Sequence, residues 1–400
     1  MSPRKIIAVL LMFVILILGI PAYAEAGQST PVITAVNGTT GIGDNALAAD
    51  ITPNCISAIL MEAETGKVLM EHNADEALPP ASVTKIMTLL LVMEAIDQGA
   101  MKLTDILSCS PNAASMGGSQ VYLEPGEQMS VEELIKCVVI SSANDAAVML
   151  AEGVAGSEEA FVVRMNKRAA ELGMKNTVFQ NTNGLDDTAT GHVTSARDIA
   201  IMSRELIKHP KILEYSGIWM DTIRNGAFGL TNTNRLVRFY PGATGLKTGS
   251  TSKAKFCMSA TAKRDGMHLI CVIMGAETRD IRNSAATQLL DWGFANYALY
   301  TDDAGEVGNV AVTGGVDDSV TAECERFCVV VPKGSENRVE KQLTLESTVS
   351  APVAKGDRVG SVKYVCGDEV LGECEVRAGG NVVKISFGQL FLRILSAFVM

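Results

Sequence analysis

Leu78-Pro-Pro-Ala-Ser-Val-Thr-Lys85-Ile-Met-Thr-Leu-Leu-Leu-Val-Met93 is the stretch on which the fold turns. The two prolines stiffen the chain and hold the residues before them out of helical geometry. Ile86, Leu89, Leu90 and Met93 then recur at helical spacing. The pattern predicts that Ser82 stands at the start of a buried helix, with Lys85 one turn along on the same face. Serine is a poor nucleophile until a neighbour removes its proton, and lysine does this only when burial or a second cation lowers its pKa. Apolar residues flank Lys85, which predicts a buried amine. An isolated Ser-x-x-Lys reads more simply as a capping serine beside a solvated lysine, and the same spacing recurs at Ser2, Ser250 and Ser252. Context has to separate these matches.

Downstream, Ser142-Ala-Asn144 falls 60 residues after Ser82, and Lys247-Thr-Gly249 begins 105 residues after Ser142. Ser142 and Asn144 lie between the apolar runs Val131–Ile140 and Asp145–Glu152. A polar turn there suits a loop entering a cleft, and equally a helix cap with Asn144 opening the second helix. Lys247-Thr-Gly249 is expected to open a strand. A strand edge carrying a lysine and a small residue can pair with an extended peptide while holding its carboxylate. Lys247 would also be the second cation that keeps Lys85 neutral. Gly249 permits close approach, and the Ser250 amide can point into the site. The order and spacing of the three motifs point to serine acyl transfer. The four histidines form no metal-like pair, and the absence of a Gly-x-Ser-x-Gly elbow argues against a serine–histidine hydrolase.

From Ile51 to about Tyr300, strand and helix signals alternate. Ile56–Met61 and Lys67–Met70 flank a turn, and Phe256–Ala262 and His268–Met274 flank Asp265-Gly266, a strong hairpin signal. Between them lie helical segments at Ser130 onward, whose Ser-x-x-Glu133 spacing is a capping box, and at 144–154, 157–173 and after Thr194. A helix from about Asp280 to Tyr297 closes the run. Strands early and late with helices between predict an α+β domain, at 51–300, with an antiparallel sheet flanked by helices and a helical subdomain. Residues 303–385 change texture: Val307–Val312, Phe327–Val331, Gln342–Glu346 and Val359–Tyr364 alternate with turns, predicting a small all-β domain.

Both ends carry their own signals. Arg4 and Lys5 precede the apolar run Ile6–Ile20 and the small-residue site Ala22-Tyr-Ala24, so residues 1–24 read as an export signal and 25–50 as a linker. Ser386–Met400 begins with a Ser-x-x-Gln cap. It sets Phe387, Leu390, Phe391, Ile394, Leu395 and Phe398 on one face, opposite Gln389, Arg393 and Ser396. Such a segment is too short to span a bilayer and suits its surface. Losing 1–24 removes two basic residues and no acidic one, moving the net charge from −11 to −13. An acidic chain without a basic stripe is no partner for nucleic acid. The nine cysteines show no zinc spacing, and nothing calls for a metal or cofactor. Cys55, Cys137, Cys257 and Cys271 are expected as buried thiols. Among Cys324, Cys328, Cys366 and Cys374 a disulfide is possible, in three alternative pairings.

With these residues in place, the chain resembles the penicillin-recognising serine enzymes and, within them, the low-molecular-mass D-alanyl-D-alanine carboxypeptidases. The resemblance rests on Leu78-Pro-Pro-Ala-Ser-Val-Thr-Lys85, Ile140-Ser-Ser-Ala-Asn-Asp145, Gly245-Leu-Lys-Thr-Gly249 and Leu290-Asp-Trp-Gly-Phe-Ala-Asn-Tyr297. It implies a β-lactamase/transpeptidase-like fold and an acyl-enzyme formed by Ser82 on the terminal D-Ala-D-Ala bond of a peptidoglycan stem peptide. It further implies Lys85 as base, Ser142 as proton relay and Asn144 orienting the substrate. Lys247, Thr248 and Arg282 would hold the carboxylate, and the Ser82 and Ser250 amides would form an oxyanion hole. β-Lactams would be covalent inhibitors, and the enzyme would sit on the outer face of the cytoplasmic membrane through residues 386–400. A class A β-lactamase would normally carry Ser-Asp-Asn and a Glu-x-x-x-Asn loop, but Phe179-Gln-Asn-Thr-Asn183 offers no such glutamate. One departure is Lys255, where the family usually has glycine, which bears on the rim of the cleft and substrate preference.

Overall fold

The structure is a computed structural model that describes residues 53–185 and 190–399. The expected export signal and linker lie outside the described residues. At the centre is a five-stranded, wholly antiparallel sheet. Its strands are β1 (Ser57–Glu62), β2 (Val68–His72), β3 (Ala243–Thr251), β4 (Lys255–Arg264) and β5 (Met267–Ala276), in the order β2-β1-β5-β4-β3. Alternation along β1 and β5 sends Ile59, Met61, Ile270, Val272 and Met274 into one core and Ala58, Leu60, Leu269, Cys271 and Ile273 into another. Both faces are covered, so β5 reads as a nearly continuous apolar run rather than an alternating one.

The first core holds the helical subdomain. Its centre is α1 (Lys85–Asp97), in which Ile86, Met87, Leu89, Leu90, Val92 and Met93 are all buried. A helix apolar all round is an interior helix; around α1 lie α3 (Asn144–Ala155), α4 (Glu158–Glu171) and α5 (Ala196–Leu206), while α2 (Val131–Ser141) packs on α3 in the same core. α2 starts as its capping box predicts: Ser130 Oγ accepts from Glu133 N–H at 3.2 Å and donates to the Glu133 carboxylate at 3.0 Å. On the other face lies α6 (Arg279–Asn296), with Ala286, Leu289 and Leu290 buried against the sheet.

α6 runs directly into β6 (Tyr297–Asp302), which pairs with β9 (Phe327–Pro332) as a two-stranded ribbon. The ribbon introduces a six-stranded sheet, ordered β10-β12-β13-β8-β7-β11. Its members are β7 (Gly305–Thr313), β8 (Ser319–Cys324), β10 (Val339–Leu345), β11 (Thr348–Ser350), β12 (Arg358–Cys366) and β13 (Glu369–Ala378). Val310, Val320, Val359, Val362, Tyr364 and Val376 form its core, with Phe327 stacked on Tyr364 at 3.9 Å. All nine cysteines are free thiols, and Cys55 is half-buried rather than fully interior.

The chain closes with α7 (Phe387–Val399), capped as expected by Ser386 and Gln389. Phe387, Leu390, Phe391, Leu392, Ile394 and Leu395 are exposed along it. Arg393 reaches back to Asp318 Oδ1 at 2.9 Å and the Val316 carbonyl at 2.8 Å. The expected apolar position Phe398 is beyond the described side chains. Among the described residues no helix is long and apolar enough to cross a membrane.

Candidate active site

Ser82 lies in a single 3-10 turn, Ala81–Thr84, rather than in the first turn of α1 itself. The cause is local: Val83 N–H bonds back to the Pro80 carbonyl at 3.2 Å, and Ala81 takes a left-handed φ of +47°. Lys85 then opens α1, so the serine stands in front of a thirteen-residue helix whose N-terminus favours negative charge. Lys85 is fully buried. Its Nζ donates to Ser82 Oγ at 2.8 Å, to Asn144 Oδ1 at 2.5 Å and to the Asn183 carbonyl at 2.8 Å. Burial pushes its pKa well below the usual lysine range, and the charge of Lys247 pushes it further. Ser82 itself is half-buried and remains open to the cleft.

Ser142 ends α2 in left-handed geometry, φ 63° and ψ 28°, which turns the chain so that Asn144 can begin α3. The loop and cap readings of this segment therefore hold together. Asn144 is fixed on all sides: its N–H donates to the Ser119 carbonyl and its Nδ2 to the Gly117 carbonyl, both at 2.7 Å. Asp145, next in sequence and fully buried, accepts from Val121 N–H at 3.0 Å and Leu123 N–H at 3.1 Å. Together these two residues lash the 117–123 loop to the start of α3.

Lys247-Thr-Gly249 occupies the middle of β3, four residues after the strand begins, rather than opening it. β3 pairs with β4 along one side and is the terminal strand of the sheet, so its other edge faces the nucleophile turn. Lys247 Nζ donates to Ser142 Oγ and to the Thr248 carbonyl, both at 2.8 Å. Its pKa is lowered to about 7, first by burial and then by the charge of Arg282. Thr248 Oγ1 donates to Thr233 Oγ1 at 2.7 Å. A Cβ on Gly249 would sit 2.7 Å from Ser82 N and 2.9 Å from Val83 N. Only glycine lets the strand lie against the turn at that distance.

Six of the nine expected residues (Ser82, Lys85, Ser142, Asn144, Lys247 and Gly249) meet directly through these contacts, and Thr248 adjoins them. Ser250 follows on the exposed end of β3 opposite Phe256. Arg282 is not in hydrogen-bond contact with the motif side chains. It is buried on α6, with Nη1 3.4 Å from the Cys257 carbonyl and Nη2 2.9 Å from Asn283 Oδ1, and burial lowers its pKa to about 10. Its positive charge is the second cause, after burial, of the lowered pKa of Lys247. Lys255 takes a left-handed φ of +54° at the β3–β4 hairpin and pairs with Glu277 on the surface. A left-handed position explains why glycine would be the easier residue there.

Sequence reading missed the Asn183 carbonyl, Asp145 and Thr233. The Asn183 contribution is a backbone atom and leaves no side-chain signal. Asp145 could have been found, because an acidic residue between Asn144 and an apolar run has to be satisfied once buried.

A lysine-activated serine, a second serine held under a second lysine and a free strand edge define a serine acyl-transfer enzyme without a catalytic histidine. The chain belongs to the D-alanyl-D-alanine carboxypeptidase family, whose model matches residues 45–278, more than half of the sequence. The C-terminal domain of penicillin-binding protein 5 matches residues 294–384. The D-alanyl-D-alanine carboxypeptidase DacF of Bacillus subtilis is 44% identical over 352 residues, covering 86% of this chain and 90% of the relative. DacC of Escherichia coli is 38% identical, covering 76% and 78%. Penicillin-binding protein 5 from Haemophilus influenzae superposes with a TM-score of 0.73 at 31% identity, over 83% of this chain and 98% of that one. The ampicillin-bound form of penicillin-binding protein D2 from Listeria monocytogenes superposes at 0.57 and 32% identity, over 62% of this chain and all (100%) of the other.

Proposed function

We propose that this enzyme removes the terminal D-alanine from peptidoglycan stem pentapeptides through an acyl-enzyme on Ser82. The single observation carrying the reading is the 2.8 Å contact between Lys85 Nζ and Ser82 Oγ at a fully buried, pKa-lowered amine. Once neutral, Lys85 keeps its two N–H groups on Asn144 Oδ1 and the Asn183 carbonyl and turns its lone pair to Ser82, taking the proton as Oγ attacks the penultimate D-alanine carbonyl. The developing oxyanion is held by the Ser82 and Ser250 amides, each such donor being worth about 100- to 1,000-fold in rate. Ser142 Oγ relays the proton taken up by Lys85 to the departing amine, gaining one as it gives one, and Lys247, on which it rests, holds the D-alanine carboxylate with Thr248. Arg282 supports that charge. Asn144 orients the peptide, which pairs with the free edge of β3. Water then releases the shortened peptide. A β-lactam would acylate the same serine and lack a leaving group able to diffuse away.

We further place the enzyme outside the cytoplasmic membrane. Residues 1–24 would direct export and the exposed apolar face of α7 would lie in the membrane surface, with peripheral rather than spanning attachment.

Fluorescent penicillin labelling tests the chemistry. Wild-type protein is expected to label and to release D-alanine from a synthetic pentapeptide, and Ser82→Ala to do neither. Labelling that survives Ser82→Ala would overturn the assignment, and rapid turnover of the drug would indicate a β-lactamase.

A further inference from the structure

We propose that His192 is a positioning residue for the nucleophile, holding the Ala81–Ser82 peptide so that the Ser82 amide points into the cleft. The inference rests on the assignment of Ser82 above and adds a residue outside the three motifs. His192 is buried and bridges Gln180 to Thr84 of the nucleophile turn. Gln180 N–H donates to its Nδ1 at 3.0 Å, which places the ring proton on Nε2. Nε2 lies 2.8 Å from Thr84 Oγ1, and Thr84 Oγ1 donates to the Ala81 carbonyl at 2.8 Å. One neutral tautomer thus satisfies the chain of three hydrogen bonds, from the Gln180 amide through the imidazole and hydroxyl to the Ala81 oxygen. Phe179 packs edge-on with the imidazole, centroids 5.8 Å apart and planes at 65°, and holds its plane.

The target of this chain is a strained residue. Ala81 has φ +47°, a left-handed conformation that a residue with a Cβ adopts only at a cost, and such strain persists only where surroundings enforce it. Gly184 closes the other side: a Cβ there would lie 1.8 Å from the Ala81 oxygen. The Ala81 carbonyl and the Ser82 N–H are the two ends of one planar peptide group. Gripping the oxygen therefore aims the N–H, the amide assigned above to the oxyanion hole. Releasing the grip should weaken transition-state stabilisation and leave ground-state binding alone.

Stopped-flow acylation by a chromogenic β-lactam separates the non-covalent dissociation constant from the acylation rate. For His192→Ala and for Thr84→Val we expect the acylation rate to fall about 10- to 100-fold, with the dissociation constant within about twofold of wild type. The double variant should be no slower than the worse single one, because both break one chain. His192→Gln, which restores a donor to Thr84, should recover most of the rate, and it carries the test should His192→Ala melt out. An unchanged acylation rate, a loss confined to the dissociation constant, or losses that multiply in the double variant would each overturn the proposal. Labelling of a Ser82→Ala control would instead sink the assignment of the nucleophile.

Discussion

Lys85 and Lys247 are two buried amines sharing one site, and the arrangement is chemically useful because it is electrostatically unfavourable. Protonating Lys85 costs the loss of solvation and repulsion from Lys247, in that order, so the neutral base is favoured to lower pH than in a solvated lysine. The acylation rate should therefore rise with pH along a limb centred well below the ordinary lysine range of 10.5. Lys247→Met removes the repulsion, makes protonated Lys85 less costly and raises its pKa. The limb should then move to higher pH, measurable as the pH profile of penicillin acylation. A limb that stays in place would show that the two amines do not feel each other. At this scale the sequence was eloquent about the groups that do chemistry and silent about those that hold them. Ser82, Lys85 and Lys247 announce themselves by type and spacing. The Asn183 carbonyl cannot, and Thr84 and His192 look like any threonine and histidine until the fold brings them within 2.8 Å.

Among elements, the decisive contact is between the free edge of β3 and the Ser82 turn. Gly249→Ala would place a methyl 2.7 Å from the Ser82 amide, against backbone rather than a yielding side chain. The strand or the turn has to move. A displacement on the order of 1 Å costs about 100-fold in rate, while the buried β3–β4 pairing keeps the sheet intact. The expected outcome is a slow enzyme with a near-normal melting temperature, read by penicillin acylation alongside thermal unfolding. Wild-type acylation would mean the contact is slack. Helices were legible from their caps and periodicity, as Ser130 with Glu133 shows, and so was the Asp265-Gly266 hairpin. The departures were local. A 3-10 turn replaced the first turn of α1 because of strain at Ala81, and β3 began earlier than Lys247 because its leading residues look like loop. The pairing order of the sheet, with early β1 beside late β5, depends on contacts some 210 residues apart that no local pattern encodes.

For the molecule as a whole, the C-terminal sheet is joined to the catalytic domain by continuity of chain more than by charge. Arg326 pairs with Glu64, and Lys333 with Asp265 at 3.4 Å, but these are surface pairs worth about 0–1 kcal/mol each. The stronger link is the β6–β9 ribbon growing straight out of α6. Of the C-terminal strands, turn spacing made β7, β9, β10 and β12 legible, but not β6, β8, β11 or β13, nor the strand order, since β11 joins β7 in parallel. Deleting residues 386–400 removes the exposed apolar helix and should release an otherwise active enzyme from anionic lipid vesicles, measured by co-sedimentation. Equal sedimentation with and without the segment would contradict surface attachment. Glu64 and Asp265, which pair with the residues flanking β9, lie at the turn end of the central sheet, whereas Gly249 and Ser82 lie toward its opposite end, about 20 Å along β3. If α7 seats the protein on a membrane surface as proposed, the C-terminal sheet lies along the chain between that seat and the reactive serine. Lengthening that sheet is then expected to shift the reach of the serine without touching its chemistry.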